Sequence, residues 1–338
     1  MFLKALFSLA VPALALAADI LPSTVVTQLE LGTWLESIAV RPNGDLLTTL
    51  IQPTPDIILV RNPSSHQPVT ELLTTIPALS RLLGITEVPT GQRGVETYLV
   101  VGDDGNKSCS AYTVTFGQGQ HGEPIVSKVL DFDADTTFVN GVTSIPGVDN
   151  AVLVADSVGH IGYLNITSGI FDATAFDYPA LKPDDTASLP IGVNGIKIHE
   201  GYLYFSNFNF ATLSRIAIST TGYPCHGAST ELVADLVKIG VAGVDDFAFD
   251  KIGNIYATSN IDNKLVYVEV FSGKSTVVVG GDLEMTVAGD TAVAFGRRES
   301  DAATLYVVTA GAQGAPVGGN KTEGAKVVAV DTSKLYLN

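Results

Sequence analysis

Polar side chains recur along the chain at the starts of short apolar segments, which lie roughly 46 to 57 residues apart. The residues at the six starts are Glu36, Leu83, Asn140, Asn194, Asp245 and Thr291. Four of them are acids or amides, on a chain in which only 16% of the residues are charged. Carboxylate and amide oxygens can ligate a hard cation or hydrogen-bond a polar ligand. We therefore expect the starts to belong to one functional site.

The second apolar segment of each repeat also ends in a polar residue. Because the two segments form a hairpin, this end returns to the level at which the first segment began. Aromatic residues stand near the same positions in the sequence. A mixture of aromatic and polar side chains is typical of a ligand pocket. The pocket candidates are Trp34, Glu36, Gln52, Asn140, Asp156, Asn194, Asn207, Phe208, Asp245 and Asn260.

The segments that position these residues follow a repeated plan of an alternating apolar strand, a turn rich in glycine, asparagine or aspartate, and a second apolar strand. Such alternation indicates β-hairpins, and a period near fifty residues is typical of four-stranded propeller blades. The sequence predicts an all-β, six-bladed β-propeller in which a strand at Val25–Leu31 completes the last blade and closes the ring. A helical or irregular excursion is expected over Val69–Leu83. A β-sandwich is the alternative fold, but it does not explain six equivalent starts.

Composition excludes one class of partner. The 338 residues include 19 Lys and Arg against 35 Asp and Glu, which gives a net charge of −16. A chain this acidic does not neutralise phosphates and release their counterions, and we therefore do not expect nucleic acid as a partner.

After the N-terminal segment, no apolar stretch reaches the roughly 20 residues of a membrane-spanning helix. The oligomeric state does not follow from the sequence.

The N-terminus has the pattern of a secretory signal peptide over residues 1–17. A basic start precedes the apolar run Ala5–Ala15, and Ala15-Leu16-Ala17 is a small-residue cleavage signature. A retained membrane anchor is the alternative, although the run is short for a span. We expect residues 18–338 to form a single propeller domain of a secreted or secretory-pathway protein.

Two further features agree with export. Asn106, Asn165 and Asn320 begin acceptor sequons for N-glycosylation. Cys109 and Cys225 form an even pair, which in an oxidising compartment can close one disulfide. Two separate buried thiols are the alternative for the cysteines.

Motifs of common enzyme chemistry are incomplete or missing. Gly117-x-Gly119-x-x-Gly122 has the spacing of a dinucleotide loop, but it lies between two predicted strands and no helix follows it. No G-x-S-x-G, H-E-x-x-H or C-x-x-C string occurs, and the five histidines show no ligand spacing. The residues therefore indicate no standard nucleophile, zinc site or nucleotide loop.

Three strings resemble the blade motifs of the SMP-30/gluconolactonase/LRE-like six-bladed propellers, above all their secreted fungal branch. The strings are WLESIAVR at 34–41, GVNGIK at 192–197 and VDDFAFD at 244–250. For a lactonase of this superfamily, the resemblance implies one divalent cation (Ca²⁺, Mg²⁺ or Mn²⁺) held by Glu36, Asn194 and Asp245, with Asn140 as a further asparagine of the site. The family's usual Glu-Gly-Pro opening is replaced here by Glu36-Ser37-Ile38.

In length, signal peptide and blade motifs, the chain also resembles the hetero-Diels–Alderases of tropolone–sesquiterpenoid biosynthesis. That resemblance implies a pericyclase that requires no cofactor and joins a tropolone o-quinone methide to a macrocyclic sesquiterpene of the humulene type. Three functions stay open from the sequence: such a pericyclase acting on small apolar and aromatic substrates, a metal-dependent lactonase or hydrolase, and a non-catalytic secreted binding propeller.

Overall fold

The computed structural model describes residues 21–117 and 124–336, and within these ranges the chain is an all-β, six-bladed propeller. The 24 strands of the described residues form six separate antiparallel sheets of four strands each. This architecture confirms the fold class that the sequence predicted. The predicted signal peptide at residues 1–17 lies outside the described residues, so it stays a prediction.

Each blade begins with an innermost strand that contacts the innermost strands of the neighbouring blades. Blade 1 consists of β2 (Trp34–Val40), β3 (Leu46–Gln52), β4 (Asp56–Arg61) and β5 (Val69–Thr75). Blade 2 consists of β6 (Arg81–Glu87), β7 (Glu96–Asp103), β8 (Cys109–Phe116) and β9 (Ile125–Asp131). Blade 3 consists of β10 (Val139–Ser144), β11 (Ala151–Asp156), β12 (His160–Asn165) and β13 (Ile170–Phe176).

The second half of the ring repeats the plan. Blade 4 consists of β14 (Val193–His199), β15 (Tyr202–Asn207), β16 (Thr212–Ala217) and β17 (Glu231–Asp235). Blade 5 consists of β18 (Phe247–Phe249), β19 (Ile255–Thr258), β20 (Lys264–Val268) and β21 (Ser275–Gly280). Blade 6 consists of β22 (Asp290–Phe295), β23 (Thr304–Thr309), β24 (Lys326–Asp331) and β1 (Ser23–Gln28). Short 3₁₀ turns occupy Pro179–Leu181, Leu236–Ile239, Asn260–Asp262 and Thr332–Tyr336.

The ring is closed by a strand from the N-terminal part of the chain, as the sequence predicted. β1 pairs antiparallel with β24, so blade 6 combines both ends of the described chain. The strand covers Ser23–Gln28, slightly earlier than the predicted Val25–Leu31. This pairing joins the first described strand and the last in one sheet and so closes the ring.

Apolar side chains pack between neighbouring blades, with the face of one sheet against the next. Between blades 1 and 2, Leu47 and Leu59 pack in one buried cluster with Leu82 and Tyr98. Clusters of the same kind lie between the other neighbouring blades. Burying a Leu or Val side chain contributes about 1.5–3 kcal/mol. The interfaces between blades therefore take up most of the chain's apolar residues.

Buried hydroxyl groups and a glycine set how closely the innermost strands approach. The hydroxyl of Thr49 donates to the carbonyl oxygen of Leu83 at 2.6 Å, and that of Thr291 donates to the carbonyl oxygen of Leu35 at 2.8 Å. A Cβ atom on Gly141 would lie only 2.3 Å from the carbonyl oxygen of the next blade's innermost strand. Only glycine therefore allows blades 3 and 4 to approach this closely.

The predicted helical or irregular excursion at Val69–Leu83 is wrong. The segment contains β5, the outermost strand of blade 1, and the beginning of β6, the innermost strand of blade 2. Outermost strands are half exposed in this fold, and β5 mixes polar residues into its apolar ones. Its two-residue alternation is therefore weak, which hid the strand in the sequence.

The predicted disulfide is also wrong, because both cysteines are free thiols in the structure. Cys109 begins β8 in blade 2 and is buried, whereas Cys225 follows β16 in blade 4 and is exposed. Blade 3 stands between these two blades in the ring. Burial raises the pKa of the Cys109 thiol to about 11, which keeps it protonated and unreactive at neutral pH.

The structure shows how exposed the three predicted glycosylation sites are. Of the three sequon asparagines, Asn106 and Asn320 are exposed and Asn165 is half-buried at the end of β12. Glycosylation of these side chains stays a prediction. Within residues 21–117 and 124–336, no helix is both long and apolar enough to span a bilayer.

Candidate functional site

A cavity of about 300 Å³ opens at the end of the channel where the innermost strands begin. Its apolar lining consists of Trp34, Ile51, Leu83, Phe138, Leu189, Ile191, Phe208 and Ile261. Its polar lining consists of Glu36, Gln52, Arg81, Asn140, Asn194, Asp245 and Asn260, and Gly314 completes the wall. Apolar walls with a few converging polar groups are the usual composition of a ligand site.

The structure brings eight of the ten pocket candidates to this one cavity. They are Trp34, Glu36, Gln52, Asn140, Asn194, Phe208, Asp245 and Asn260. They come from four different blades, so residues separated by more than 200 positions in the sequence form one surface. This convergence follows from ring closure, because each innermost strand starts at the same end of the channel.

Two candidates, Asp156 and Asn207, lie outside the cavity lining and hold loops in place. The carboxylate of Asp156 accepts a hydrogen bond from the backbone N–H of Phe138 at 3.0 Å. The side-chain amide of Asn207 donates to the carbonyl oxygens of Ala180 and Lys182 at 3.0 and 2.8 Å. Both side chains are buried. They satisfy backbone groups of the loops between blades, which is a structural role.

Thr291, the sixth start, does not line the cavity either. Its side chain is fully buried, and its hydroxyl donates to the carbonyl oxygen of Leu35 at 2.8 Å, with that of Val308 at 3.2 Å as a second acceptor. Leu83, the apolar residue among the six starts, does line the cavity. The acids and amides therefore occupy only part of the ring of starts.

Glu36 lies in the polar part of the cavity and is only 7% exposed. Its Oε2 accepts a hydrogen bond from the indole N–H of Trp34 at 2.7 Å. Burial raises the pKa of Glu36 from 4.5 to about 7, and the negative charge of Asp246 adds to the rise, while the Trp34 N–H and the Arg81 guanidinium oppose it. Glu36 is therefore a carboxyl that changes its charge near neutral pH.

Asp245 is the second buried acid of the cavity. Burial raises its pKa well above the ordinary range, and the negative charge of Glu36 raises it further. The side-chain amide of Asn260 opposes this rise by donating to Oδ2 of Asp245 at 2.7 Å, and Asn194 opposes it in the same way. The protonated, neutral form of Asp245 is therefore favoured, and such a carboxyl can donate a hydrogen bond to a ligand.

Arg81 is a cavity residue that sequence reasoning missed. Of the described lining residues, it is the only one with a positive charge. Its Nε and Nη2 atoms donate to Oδ1 of Asp103 at 3.1 and 2.9 Å, and this carboxylate is buried. The sequence does carry a signal for it, because Arg81 stands two residues before a blade start, as Trp34 and Phe138 do.

The polar side chains of the cavity include possible ligands for a metal ion. Among the described residues, no group of three or more His, Cys, Asp or Glu side chains could hold a metal ion. The cavity offers two carboxyls, Glu36 and Asp245, together with the amides of Asn140 and Asn194. These oxygen donors suit a hard cation such as Ca²⁺ or Mg²⁺. The two buried acids are also the groups that such a cation would neutralise.

A second cavity of about 360 Å³ lies farther along the channel, where the innermost strands continue. Lys197 and Asp246 meet there in an ion pair, and the ring of His199 stacks on Phe249 at 4.4 Å between centroids. Glu87, which also lines this cavity, pairs with Arg297. The carboxylates and the ammonium group of this second cavity are therefore already engaged in ion pairs.

Comparison of the sequence with known proteins found two relatives that carry the same kind of name. No protein-family model matches the chain. A protein of Phoma sp named "Putative hetero-Diels-Alderase" is 29% identical over 322 residues, which cover 85% of this chain and 86% of that protein. "Putative hetero-Diels-Alderase asR5" of Sarocladium schorii is 29% identical over 328 residues, which cover 86% of this chain and 79% of that protein.

Comparison of the structure with solved structures agrees on the fold. A luciferin-regenerating enzyme superposes with a TM-score of 0.65 at 12% identity, covering 92% of this chain and 95% of that one. The calcium-binding protein regucalcin from Agrobacterium tumefaciens superposes with a TM-score of 0.63 at 15% identity, covering 94% and 97%. The resemblance expected from the blade motifs is confirmed: the chain has the fold of regucalcin and the luciferin-regenerating enzyme, and its sequence is similar to hetero-Diels-Alderases.

Proposed function

We propose that this protein is a hetero-Diels–Alderase that joins a tropolone o-quinone methide to a macrocyclic sesquiterpene of the humulene type in the cavity at the channel mouth. The observation that carries the proposal is the sequence similarity, over about 85% of the chain, to two proteins that are named as putative hetero-Diels-Alderases. The composition of the cavity, with apolar walls beside two buried acids whose pKa values are raised, supports it.

The proposed reaction needs no nucleophile and no base. The heterodiene O=C–C=C and one C=C bond of the terpene form one new C–O bond and one new C–C bond, while three π bonds become one. No atom leaves, and no proton is transferred. The absence of nucleophile motifs from the sequence agrees with such a reaction.

The apolar walls supply the positioning of the two reactants. Trp34, Phe138 and Phe208 present aromatic surface, and Leu189 and Ile261 extend the apolar lining to more exposed positions. The cavity volume of about 300 Å³ lies at the lower end of ligand pockets. One reactant would fill it, and the other would approach through the mouth. Holding two reactants at attack distance can supply about 7–11 kcal/mol of a bimolecular barrier.

The polar part of the cavity supplies electrostatic stabilisation. Negative charge grows on the heterodiene oxygen as the C–C bond forms ahead of the C–O bond. A neutral Asp245 carboxyl, the amides of Asn140 and Asn194, or the guanidinium of Arg81 can donate hydrogen bonds to that oxygen. Removing one such donor from an enzyme site typically costs about 100-fold or more in rate.

The proposal is tested with the purified protein, humulene and an o-quinone methide released in the assay from a hydroxymethyl tropolone precursor. The uncatalysed reaction gives both enantiomers of the adduct, so chiral chromatography separates catalysis from background. We expect faster formation of one enantiomer. A rate and an enantiomer ratio equal to those of the buffer control would refute the activity.

A pair of phenylalanines gives a matched control for the site. Phe208 lines the cavity, whereas Phe210 stands two residues later, is half exposed and does not line it. We expect Phe208→Ala to lower the rate of adduct formation at least tenfold and to reduce the enantiomer ratio, because a wall that orients the terpene is lost. Phe210→Ala should keep the rate of the unchanged protein. Equal rates for the two variants would place the reaction elsewhere.

A metal-dependent lactonase or hydrolase is the second candidate, favoured by the two buried acids of the cavity. Glu36, Asn194 and Asp245 would hold a divalent cation, whose contribution would be to polarise a lactone carbonyl. Metal analysis of the purified protein and lactone hydrolysis before and after chelation test this candidate. One bound Ca²⁺, Mg²⁺ or Mn²⁺ per chain, with hydrolysis lost in Asp245→Asn, would establish it in place of the pericyclase.

We also propose that the protein enters the secretory pathway and is glycosylated at its sequons. Mass spectrometry of the protein purified from its natural source would show a mature N-terminus near residue 18 and a glycan on Asn106 or Asn320, which are both exposed.

A non-catalytic binding propeller is the third candidate. It would be supported if small apolar ligands raise the melting temperature while neither the cycloaddition nor lactone hydrolysis is accelerated.

A further inference from the structure

One position of the blade repeat is occupied by an aliphatic residue in five blades and by an acid in the sixth. The position directly precedes the blade start, and its side chain is buried in every blade. The residues there are Leu35, Leu82, Val139, Val193, Val244 and Asp290. The carboxyl of Asp290 therefore stands where the fold accepts a valine or leucine.

Asp290 is poorly accommodated at this position. Its side chain is fully buried, and its Oδ1 atom has no hydrogen-bond partner among the described residues. Burial raises its pKa well above the ordinary range, and the charges of Asp245 and Asp262 add to the rise. Burying a polar atom without a partner destabilises the folded state, and valine in this place would avoid that cost. The acid therefore does not serve the stability of the blade interface.

The other oxygen of Asp290 contacts the loop that follows β19 in blade 5. Oδ2 accepts a hydrogen bond from the backbone N–H of Ser259 at 3.3 Å. At the far end of the same loop, Oδ1 of Asn263 accepts from the backbone N–H of Gly289 at 2.8 Å. The loop 259–263 is thus attached at both ends to two consecutive residues of blade 6.

This loop forms part of the cavity wall and adopts an unfavourable backbone conformation. Asn260 and Ile261 line the cavity, and the amide of Asn260 donates to Oδ2 of Asp245 at 2.7 Å. Asn260 and Asn263 both have left-handed backbone angles, with φ of 49° and 57°. Such angles are uncommon for residues other than glycine, although asparagine tolerates them well, so contacts to the rest of the protein help to fix this loop.

We propose that Asp290 is a positioning residue of the cavity: by binding the N–H of Ser259, it holds the loop 259–263 so that Asn260 reaches Asp245. The buried acid accounts for the departure of blade 6 from the repeat, because a valine cannot accept that hydrogen bond. The inference concerns the shape of the cavity and applies to either proposed reaction. Its tests use no turnover, so they can fail or succeed independently of the proposed function.

The first test measures stability and local hydrogen exchange in Asp290→Val. The thermal midpoint should equal or exceed that of the unchanged protein, because valine matches the other blades. The amides of the loop 259–263 should exchange about tenfold faster, as expected when one hydrogen bond to the backbone is lost. Asp290→Asn keeps an accepting oxygen and should restore the slow exchange. Unchanged exchange in Asp290→Val would overturn the proposal.

The second test uses Trp34, the only tryptophan of the chain, as a reporter of the cavity. Its indole N–H donates to Glu36, whose charge interacts with Asp245, so release of Asn260 from Asp245 should alter the emission. Asp290→Val and Asn260→Ala should shift the emission maximum equally at neutral pH, and the double variant should add nothing. Additive shifts, or no shift in Asp290→Val alone, would contradict the positioning role.

A second buried acid of blade 6 provides a control. Asp301 is also buried, but its carboxylate accepts from the backbone N–H of Arg298 at 2.8 Å and from the hydroxyl of Tyr306 at 3.2 Å. Asp301→Val should therefore lower the thermal midpoint while the loop 259–263 keeps its slow exchange. If Asp290→Val does not fold, Asn263→Gly removes the hydrogen bond between the loop and Gly289 and should also raise the exchange of the loop amides. Slow exchange in that variant would refute the proposal.

Discussion

Replacing Glu36 by glutamine should remove the loss of folding stability that ionisation of Glu36 causes as the pH rises. Burial raises the pKa of Glu36 from 4.5 to about 7, so the folded protein binds this proton more tightly than the unfolded chain does. Stability is therefore complete below pH 4.5 and is lost as the pH rises to about 7. Glutamine has the shape of the protonated acid and keeps an oxygen for the indole N–H of Trp34, but it does not ionise.

The size of the effect follows from the shift. A difference of one pKa unit between the folded and unfolded states corresponds to 1.36 kcal/mol. The rise from 4.5 to about 7 therefore makes ionisation of Glu36 cost about 3 kcal/mol of folding stability. Because Glu36 is only 7% exposed, solvent does little to reduce this cost. Glu36→Gln should thus be more stable than the unchanged protein at pH 8, and nearly equal to it at pH 4.5.

Urea unfolding followed by circular dichroism between pH 4.5 and pH 8 measures the effect directly. The difference in unfolding free energy between Glu36→Gln and the unchanged protein should grow by about 3 kcal/mol over this range. Glu299→Gln changes an exposed carboxyl and serves as the control, with a constant difference near zero. Parallel pH profiles for the Glu36→Gln variant and the unchanged protein would refute the reasoning, because they would mean that Glu36 ionises alike in both states.

Two further substitutions or modifications test the packing. Gly141→Ala places a Cβ 2.3 Å from the carbonyl oxygen of Asn194 and should cost about 2 kcal/mol of stability by urea unfolding. In the control Gly281→Ala, the Cβ meets only Glu284, at 3.6 Å, and stability should change by less than about 0.5 kcal/mol. Equal costs would contradict the close approach of blades 3 and 4. Iodoacetamide should alkylate Cys225 in the native protein and Cys109 only after unfolding, as read by mass spectrometry, and a Cys109–Cys225 disulfide peptide would contradict the fold.

The blades could be predicted from the sequence because their signals are local. The short apolar runs of β11 and β19 and the turns between strands depend on neighbouring residues, and their recurrence after about fifty residues defines the repeat. The outermost strand β5 escaped this reasoning, since a half-exposed strand loses its alternation. Interpretations that joined distant parts of the chain were less secure. The cysteine pair was misjudged because an even count says nothing about which blades carry the residues.

The candidate site was predictable where a residue stands at a repeated position whose direction the fold determines. Glu36, Asn194 and Asp245 line the cavity because each lies within about two residues of the point where an innermost strand begins. Asp156 and Asn207 end their second strands in the same way, but nearby loops offer backbone groups that bind their side chains. Whether such a side chain turns to the cavity or to a loop depends on the loop conformation, which the repeat does not specify.

By itself, the sequence determined the number of blades, the closure of the ring and the positions from which the acids and amides approach the channel. These properties follow from hydrophobic periodicity and turn chemistry, which act over a few residues at a time. Only the tertiary structure decided which acids share a buried cavity, that Glu36 titrates near pH 7 and that Asp290 binds the loop carrying Asn260. Desolvation and charge interactions depend on atoms contributed by several blades, and these meet only after the ring has closed.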